Sequence, residues 1–147
     1  MGYLRVMSLS VHEREQFLAE PHIAALSVSA GPDRGPLTVP IWYAYQPGGE
    51  LWLLTGVESR KAKLIEAAGR FTMMVERLEP SIRYVAVEGP VTRTARGTHE
   101  MLWEMSARYL PEEKLAGYVK MAEAEHGEQL AVYLRPERWI SADLGAV

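Results

Sequence analysis

The chain reads as a mainly β, antiparallel barrel with helices on its rim, and three observations carry that expectation. Short apolar segments, alternating or rich in β-branched residues, recur along most of its 147 residues. Turns bearing Gly and Pro separate them. No helical segment of about 10–15 residues follows each strand in regular alternation, as parallel crossover units would require.

Ser10 and Glu13 form a capping-box pattern that starts a first helix over Val11–Ala19, stopped ahead of Pro21. The apolar run HIAALSVSA (22–30) reads as a buried strand, and GPDRGP as the loop after it. In PLTVPIWYAY (36–45), Val39, Ile41, Tyr43 and Tyr45 alternate with Thr38, Pro40, Trp42 and Ala44, which predicts one strand with two faces. QPGG turns it into ELWLLTG (50–56), completing an antiparallel meander. Trp42 and Trp52 then fall on neighbouring strands, where they either pack across them as core or wall a flat ring system.

Ser59 caps a further helix that Gly69 ends. FTMMVERLE (71–79) and IRYVAVEGPVTRTA (82–95) are strands, the second long enough to curve around a barrel with Gly89-Pro90 as its bulge. Thr98–Leu110 places Met101, Leu102, Met105 and Tyr109 on one helical face. Pro111 opens another helix, with Glu112 and Glu113 favoured in its first turn by the dipole, and Gly127 ends it. Segments 129–136 and 138–143 are the last strands. About seven strands and three or four helices thus make one domain over residues 1–147, without repeats or linkers.

Composition narrows the function. With 48% hydrophobic and 24% charged residues the chain resembles an ordinary globular protein, and a net charge of −3 argues against a general nucleic-acid binder. The absence of cysteine removes disulfides, thiolate nucleophiles and cysteine metal sites. No run reaches the roughly 18 apolar residues of a membrane span. The opening stretch MGYLRVMSLSVHERE shows no apolar signal core, so a cytoplasmic location is the expectation. His12, His22, His99 and His126 are scattered, with no pair at metal-binding spacing, and no G-x-S-x-G, Walker or G-x-G-x-x-G pattern occurs. Met73, Met74, Met101 and Met105 read as core filler.

One stretch stands out. In WLLTGVESRKAKLIE (52–66) a strand ends, the chain turns, and a helix starts at Ser59 with Arg60, Lys61 and Lys63 in its first turn. A helix N-terminus carries roughly half a positive charge, so cations are disfavoured there. Either Glu58 and Glu66 partly neutralise a solvated cluster, or an anion sits among the cations. A phosphate would take hydrogen bonds from the free helix amides and a hydroxyl, from Arg60 through two donors, and from Lys61 or Lys63 as a point charge.

LLTGVESRKAKLI resembles the strand–turn–helix of the pyridoxamine 5′-phosphate oxidase-like flavin-binding split barrels, where a T-x(3)-S-R-K-A pattern holds the flavin phosphate. That family's R-x-V-x-V-x-G segment has its counterpart in Arg83-Tyr84-Val85-Ala86-Val87-Glu88-Gly89, and the order of elements matches across almost the whole chain. The resemblance implies an antiparallel split β-barrel and a homodimer with cofactor sites between its subunits. It places Thr55, Ser59, Arg60 and Lys61 on the cofactor phosphate and adjoining chain, with Lys63 as a further contact. Val39-Pro40-Ile41-Trp42 would run along the ring system with main-chain groups at its polar edge. Tyr84 stands where the oxidases carry a cofactor-binding glutamine, and Tyr84 and Trp139 would act across the interface.

Two departures bear on activity. The chain ends RPERWISADLGAV, without the R-x-H-D-R segment that binds substrate phosphate, and LTVPIWYAY lacks the R-x-V-L-L-K contacts. Vitamin B6 oxidation is therefore not implied. The likeness is to smaller bacterial relatives that use FMN or coenzyme F420, with hydride transfer to an organic small molecule and no protein acid, base or nucleophile standing out. The long anionic tail of F420 would reward extra cations such as Lys63 or Arg34, and the missing strand cations suggest a more open site than FMN needs. The rival is a cofactor carrier or a haem or tetrapyrrole-binding protein on the same barrel, for which His22 or His99 would be the axial ligand. Substrate recognition is expected from the loop Ala30–Pro36 and the helices at 98–126.

Overall fold

The computed structural model describes residues 7–145; residues 1–6, the start of the stretch read for a signal core, and 146–147 lie outside them. Among the described residues four helices and eight strands run in the order α1 (Val11–Ala19), β1 (Ala24–Val28), β2 (Leu37–Ile41), β3 (Ala44–Tyr45), β4 (Leu51–Gly56), α2 (Arg60–Ala68), β5 (Arg70–Arg77), β6 (Ile82–Arg96), α3 (His99–Tyr109), α4 (Glu112–Glu125), β7 (Gln129–Leu134) and β8 (Arg138–Gly145). The caps read from the sequence are made. Glu13 N donates to Ser10 Oγ at 3.1 Å and Ser10 N to Glu13 Oε1 at 3.0 Å. Gly69 ends α2 at φ 71°, a left-handed position that suits glycine, and its N–H donates to Ile65 O at 2.8 Å.

All strand pairs are antiparallel, in the order β2-β1-β5-β6-β7-β4-β3, with β8 added on β6. Because β2 and β3 are consecutive pieces of one segment, the two ends of this sheet meet at Trp42-Tyr43 and the sheet curls into a barrel. The 15-residue β6 serves both halves, pairing β5 and β8 along its first part and β7 along its last.

Three details differ from the sequence reading. The strand expected over 36–45 is broken at Trp42-Tyr43, so the described residues form eight strands and the meander is interrupted. The reason is local. Tyr43 N donates to Tyr109 Oη at 3.0 Å and Tyr43 O accepts from Arg108 Nε at 2.9 Å, so α3 side chains take the place of a neighbouring strand. Trp42 and Trp52 consequently do not pair. Trp42 stacks on Tyr109 at 4.6 Å, while Trp52 faces Ala44 across the ladder and lies 6.2 Å from Tyr133. Finally, β6 shifts register between Val91 and Arg93 against β7 and between Ile82 and Arg83 against β8, and not at Gly89-Pro90. Gly89 has another task. A Cβ there would lie 1.9 Å from Arg135 O, because the 135–137 backbone crosses it and bonds Pro90 O and Glu88 O.

The strand period of two separates two faces. Val39, Leu26, Met73, Val87 and Trp139 are direct cross-strand neighbours over five strands and belong to or pack against the core. One residue along, Pro40, Ala25, Met74, Ala86 and Ile140 form a second row on the outer face, where Ile140 is 65% exposed. That outer row is apolar, and the next one out, Thr38, Ser27, Thr72, Glu88 and Arg138, is polar. Of the expected methionine fillers, Met73 and Met105 are buried and Met74 and Met101 half-buried.

Candidate functional site

The turn from β4 into α2 is held from within. Thr55, 4% exposed, places Oγ1 3.0 Å from Ser59 Oγ, which also accepts from Ala62 N at 3.1 Å. These two hydroxyls fix the start of α2 against the end of its strand. Ala62 and Ile65 bury the inner side of the helix, so its first turn is anchored and its amides are pre-aimed. Among the described residues the N–H groups of Arg60 and Lys61 have no acceptor.

A cleft of about 610 Å³ opens beside this turn. It is lined by Pro40 and Ile41 of β2 with the following Trp42, by Leu54 and Gly56 of β4, by Lys61 of α2, and by Leu102, Met105, Ser106 and Tyr118 of α3 and α4, with Ile23, His126 and Gln129 completing it. Rim helices close over Trp42, whose ring lies between Tyr109 at 4.6 Å and Tyr118 at 5.5 Å. Tyr109 is itself fixed, its hydroxyl lying 2.8 Å from His22 O. Burial pushes the phenols of Tyr109 and Tyr43 up, so both stay neutral hydrogen-bonding groups.

The three cations of the first turn differ. Lys63 lies 3.7 Å from Glu58, an exposed pair of little energetic weight. Arg60 is exposed, and no carboxylate lies within ion-pair distance of it among the described residues. Lys61 is half-buried in the cleft, equally without a carboxylate partner there, and burial pulls its ammonium below the usual lysine range. A desolvated cation beside two free amides at a helix N-terminus is complementary to an anion with several acceptor oxygens.

Of the residues singled out in the sequence, the structure brings Pro40, Ile41, Trp42 and Lys61 onto one cleft; Thr55 and Ser59, bonded to each other, and Arg60 and Lys63 are not among its lining residues. β2, which carries Val39–Ile41, is an edge strand, so one row of its main-chain groups is not taken by the ladder. Val39 turns to the core side. Tyr84 lies on the outer face of β6 between Glu76 and Ala142, off the cleft. Trp139 sits under Arg14, whose guanidinium is 4.6 Å above its ring. The loop Ala30–Pro36, including the exposed Arg34, does not line the cleft, whereas the helices at 98–126 do.

Neither histidine considered for an axial ligand reaches the cleft. His22 Nε2 lies 2.9 Å from Phe17 O and 3.3 Å from Glu20, and His99 Nδ1 is 3.0 Å from Glu123. His126 does line it, as do Ser106 and Gln129, which sequence reasoning passed over. For Ser106 a signal existed. It follows Leu102 by one helical turn and is the polar residue on an otherwise apolar face.

No protein-family model matches the chain, and no curated protein matches it in sequence. Its fold is nonetheless found in solved structures. It is similar to the conserved hypothetical protein Rv2991 of Mycobacterium tuberculosis, with a TM-score of 0.67 and 23% identity over 97% of this chain and 90% of that one. A structure named F420 reductase matches 86% of this chain and 94% of its own, at a TM-score of 0.60 and 20% identity. An FAD-binding protein of Mesorhizobium loti matches 97% and 98%, at a TM-score of 0.62 and 17% identity. The interrupted barrel, the rim helices and these neighbours together show an antiparallel split-barrel fold.

Proposed function

We propose that the protein is an oxidoreductase that binds a phosphate-bearing flavin, FMN or coenzyme F420, and transfers hydride to an organic small molecule. The observation that carries this reading is Lys61, desolvated and without a carboxylate partner beside the free amides of Arg60 and Lys61. The names of two structural neighbours, F420 reductase and FAD-binding protein, support a flavin-type ligand.

In this reading Arg60 grips the phosphate through two donors and Lys61 supplies a buried point charge. Thr55 donates to Ser59 Oγ, which frees the Ser59 hydrogen for a phosphate oxygen; Thr55 is too buried to reach the phosphate directly. Lys63 extends the cationic surface outward. Pro40, Ile41 and Trp42 hold the ring plane, Val39 fixes their strand to the core, and α3 and α4 exclude water. The bound cofactor supplies the redox chemistry. Between the two cofactors we favour F420, whose anionic tail uses the exposed Arg60 and Lys63 and needs no cation from β2.

The proposal includes a homodimer. The apolar row Pro40–Ala25–Met74–Ala86–Ile140 meets the cleft at Pro40, and the neighbouring Ile23 is 64% exposed. A second copy on this face would bury that row and close the open side of the cleft, bringing Tyr84 beside it. Among the described residues no helix is long and apolar enough to cross a membrane. Together with the lack of cysteine this supports a cytoplasmic setting.

The test is a fluorescence titration of cofactor-free protein with FMN and with F420. Binding near micromolar of one of them supports the reading, and binding of neither refutes it. Sedimentation analysis of the wild type and Ile140→Asp checks the dimer: the expected result is a dimer that the aspartate converts to monomer, and a monomeric wild type would contradict it.

A further inference from the structure

The chain has four lysines, Lys61, Lys63, Lys114 and Lys120, and their surroundings differ. Lys63, Lys114 and Lys120 are exposed, and Lys63 lies 3.7 Å from Glu58. Lys61 is half-buried and lines the cleft, where Pro40, Ile41, Trp42, Leu54, Leu102 and Met105 give it largely apolar surroundings. Among the described residues no Asp or Glu lines that cleft, and none lies within ion-pair distance of Lys61. A desolvated ammonium without a counter-charge is relieved in two ways. An anion enters, which is the part a cofactor phosphate plays. Otherwise the proton leaves, and the nitrogen then presents a lone pair to the cleft. Burial pulls Lys61 below the usual lysine range, so the second route is open to the cofactor-free protein. We propose that Lys61 of the cofactor-free protein is a covalent binding site for aldehydes carried on a flat, apolar skeleton, which it holds as an imine.

The step balances within the two reactants. Nζ adds to the carbonyl carbon, forming the C–N bond while the carbonyl π pair moves to oxygen, and oxygen takes one hydrogen from nitrogen to give the carbinolamine. The C–O bond then breaks, oxygen leaves as water with the second nitrogen hydrogen, and C=N remains. Nothing is oxidised or reduced. The cleft selects the class. Its apolar lining offers contact to a ring held beside the amine. A carboxylic acid would enter as an anion, restore the proton and end the nucleophilicity of Lys61. A ligand ammonium would be desolvated without a counter-charge. An aldehyde carbon, bearing one hydrogen, meets less crowding than a ketone at a half-buried amine. The inference shares Lys61 with the cofactor reading, in that phosphate and aldehyde compete for one nitrogen, but it does not need the cofactor to bind.

The test exposes the full chain, free of cofactor, to limiting 2-naphthaldehyde with cyanoborohydride, which reduces the imine to a stable secondary amine, and locates the label by peptide mass spectrometry. Lys61 is expected to be modified about tenfold faster than Lys63, Lys114 or Lys120, the advantage that burying about 60 Å² of ring surface supplies. With acetaldehyde, which has little surface to bury, that preference should fall several-fold. Lys61→Arg should lose the fast label and keep the slow label on the other three lysines; if that variant fails to fold, the wild-type map decides alone. Even labelling of the four lysines, Lys61 as the slowest, the same preference with both aldehydes, or a fast label that survives Lys61→Arg would each overturn the proposal. Titration of the wild type with FMN and F420 separates the two readings. If neither cofactor binds while Lys61 is labelled first, the cofactor reading fails and the imine site stands. If a cofactor binds but Lys61 is not labelled first in its absence, the imine site fails and the cofactor reading stands.

Discussion

The two walls of the cleft rest on different physics. The wall made by β2, β4 and the start of α2 is part of the barrel. Its strands are each held in a ladder, β2 on β1 and β4 on β7, its turn is pinned by Thr55 and Ser59, and its helix buries Ala62 and Ile65. The wall made by α3 and α4 is laid on from outside. It is held by a few side-chain contacts, of which the Tyr109 hydroxyl to Tyr43 N and the Arg108 guanidinium to Tyr43 O are central. A rigid wall carrying charge suits a ligand that is always the same, and an appended wall suits the part of the site that varies. The first can be broken by removing charge with the fold left standing, and the second by loosening its docking.

The largest effect is expected at the charged wall. Arg60→Ala with Lys61→Ala removes two charge-assisted contacts of about 1.5–3 kcal/mol each and should weaken cofactor binding at least a hundredfold, with circular dichroism and oligomeric state unchanged. A loss of fold in that variant would mean the cations are structural. Next comes the docked wall. Tyr109→Phe leaves Tyr43 N and His22 O without their shared partner and should destabilise the protein by about 1–3 kcal/mol, read as a lowered denaturation midpoint. It should weaken FMN or F420 binding less than the Arg60→Ala, Lys61→Ala change does. Equal weakening by the two would show that the walls are not separable.

A smaller effect follows from Lys61 itself. Its ammonium is pulled below its ordinary value of 10.5 by burial, so the unfolded chain binds the proton more tightly than the folded one. The cofactor-free protein should therefore gain stability as pH rises from the depressed value toward 10.5, while cofactor affinity falls over the same window as the charge is lost. Lys61→Met should abolish the pH dependence of both. Binding that stays constant across that range would remove Lys61 from the clamp.

The smallest effect lies away from the cleft and calibrates the others. Asp143 is held at a pKa of about 2, first by the Ser81 hydroxyl, then by Gly145 N and Arg83. A depressed carboxylate contributes stability above its ordinary value of 3.8 that is lost as pH falls through its folded value. Acid titration of Asp143→Asn should flatten the stability curve between pH 3.8 and about 2 without touching ligand binding.

The same contrast explains what could be read from the sequence. The barrel wall was legible because its signals are local: a cap at Ser59, a stop at Gly69, a capping box at Ser10, and alternation that sets Val39 and Pro40 on opposite faces. The SRK cluster could be found because cations at a helix start run against the dipole. The break at Trp42-Tyr43 was not legible, since it is made by Tyr109 and Arg108, more than sixty residues away. For the same reason Trp42 could not be assigned to Tyr109 and Tyr118 in place of Trp52. Gly89 announced itself as special, but only the crossing of Arg135–Glu137 showed that it makes room for a backbone instead of a bulge. Ser106 was visible as a polar residue on an apolar helical face, yet its lack of a partner is a property of the packed molecule.

The central claim is that the basic first turn of α2 is a phosphate clamp, and phosphorus NMR of the cofactor on the protein tests it most directly. With wild-type protein the account predicts a phosphate resonance displaced from its free position and held ionised to lower pH than in solution by Arg60, Lys61 and the helix amides. In the Arg60→Ala, Lys61→Ala variant, at cofactor concentrations high enough to keep it bound, that resonance should titrate as it does free in water. A bound cofactor whose phosphate signal is the same in both proteins would contradict the clamp.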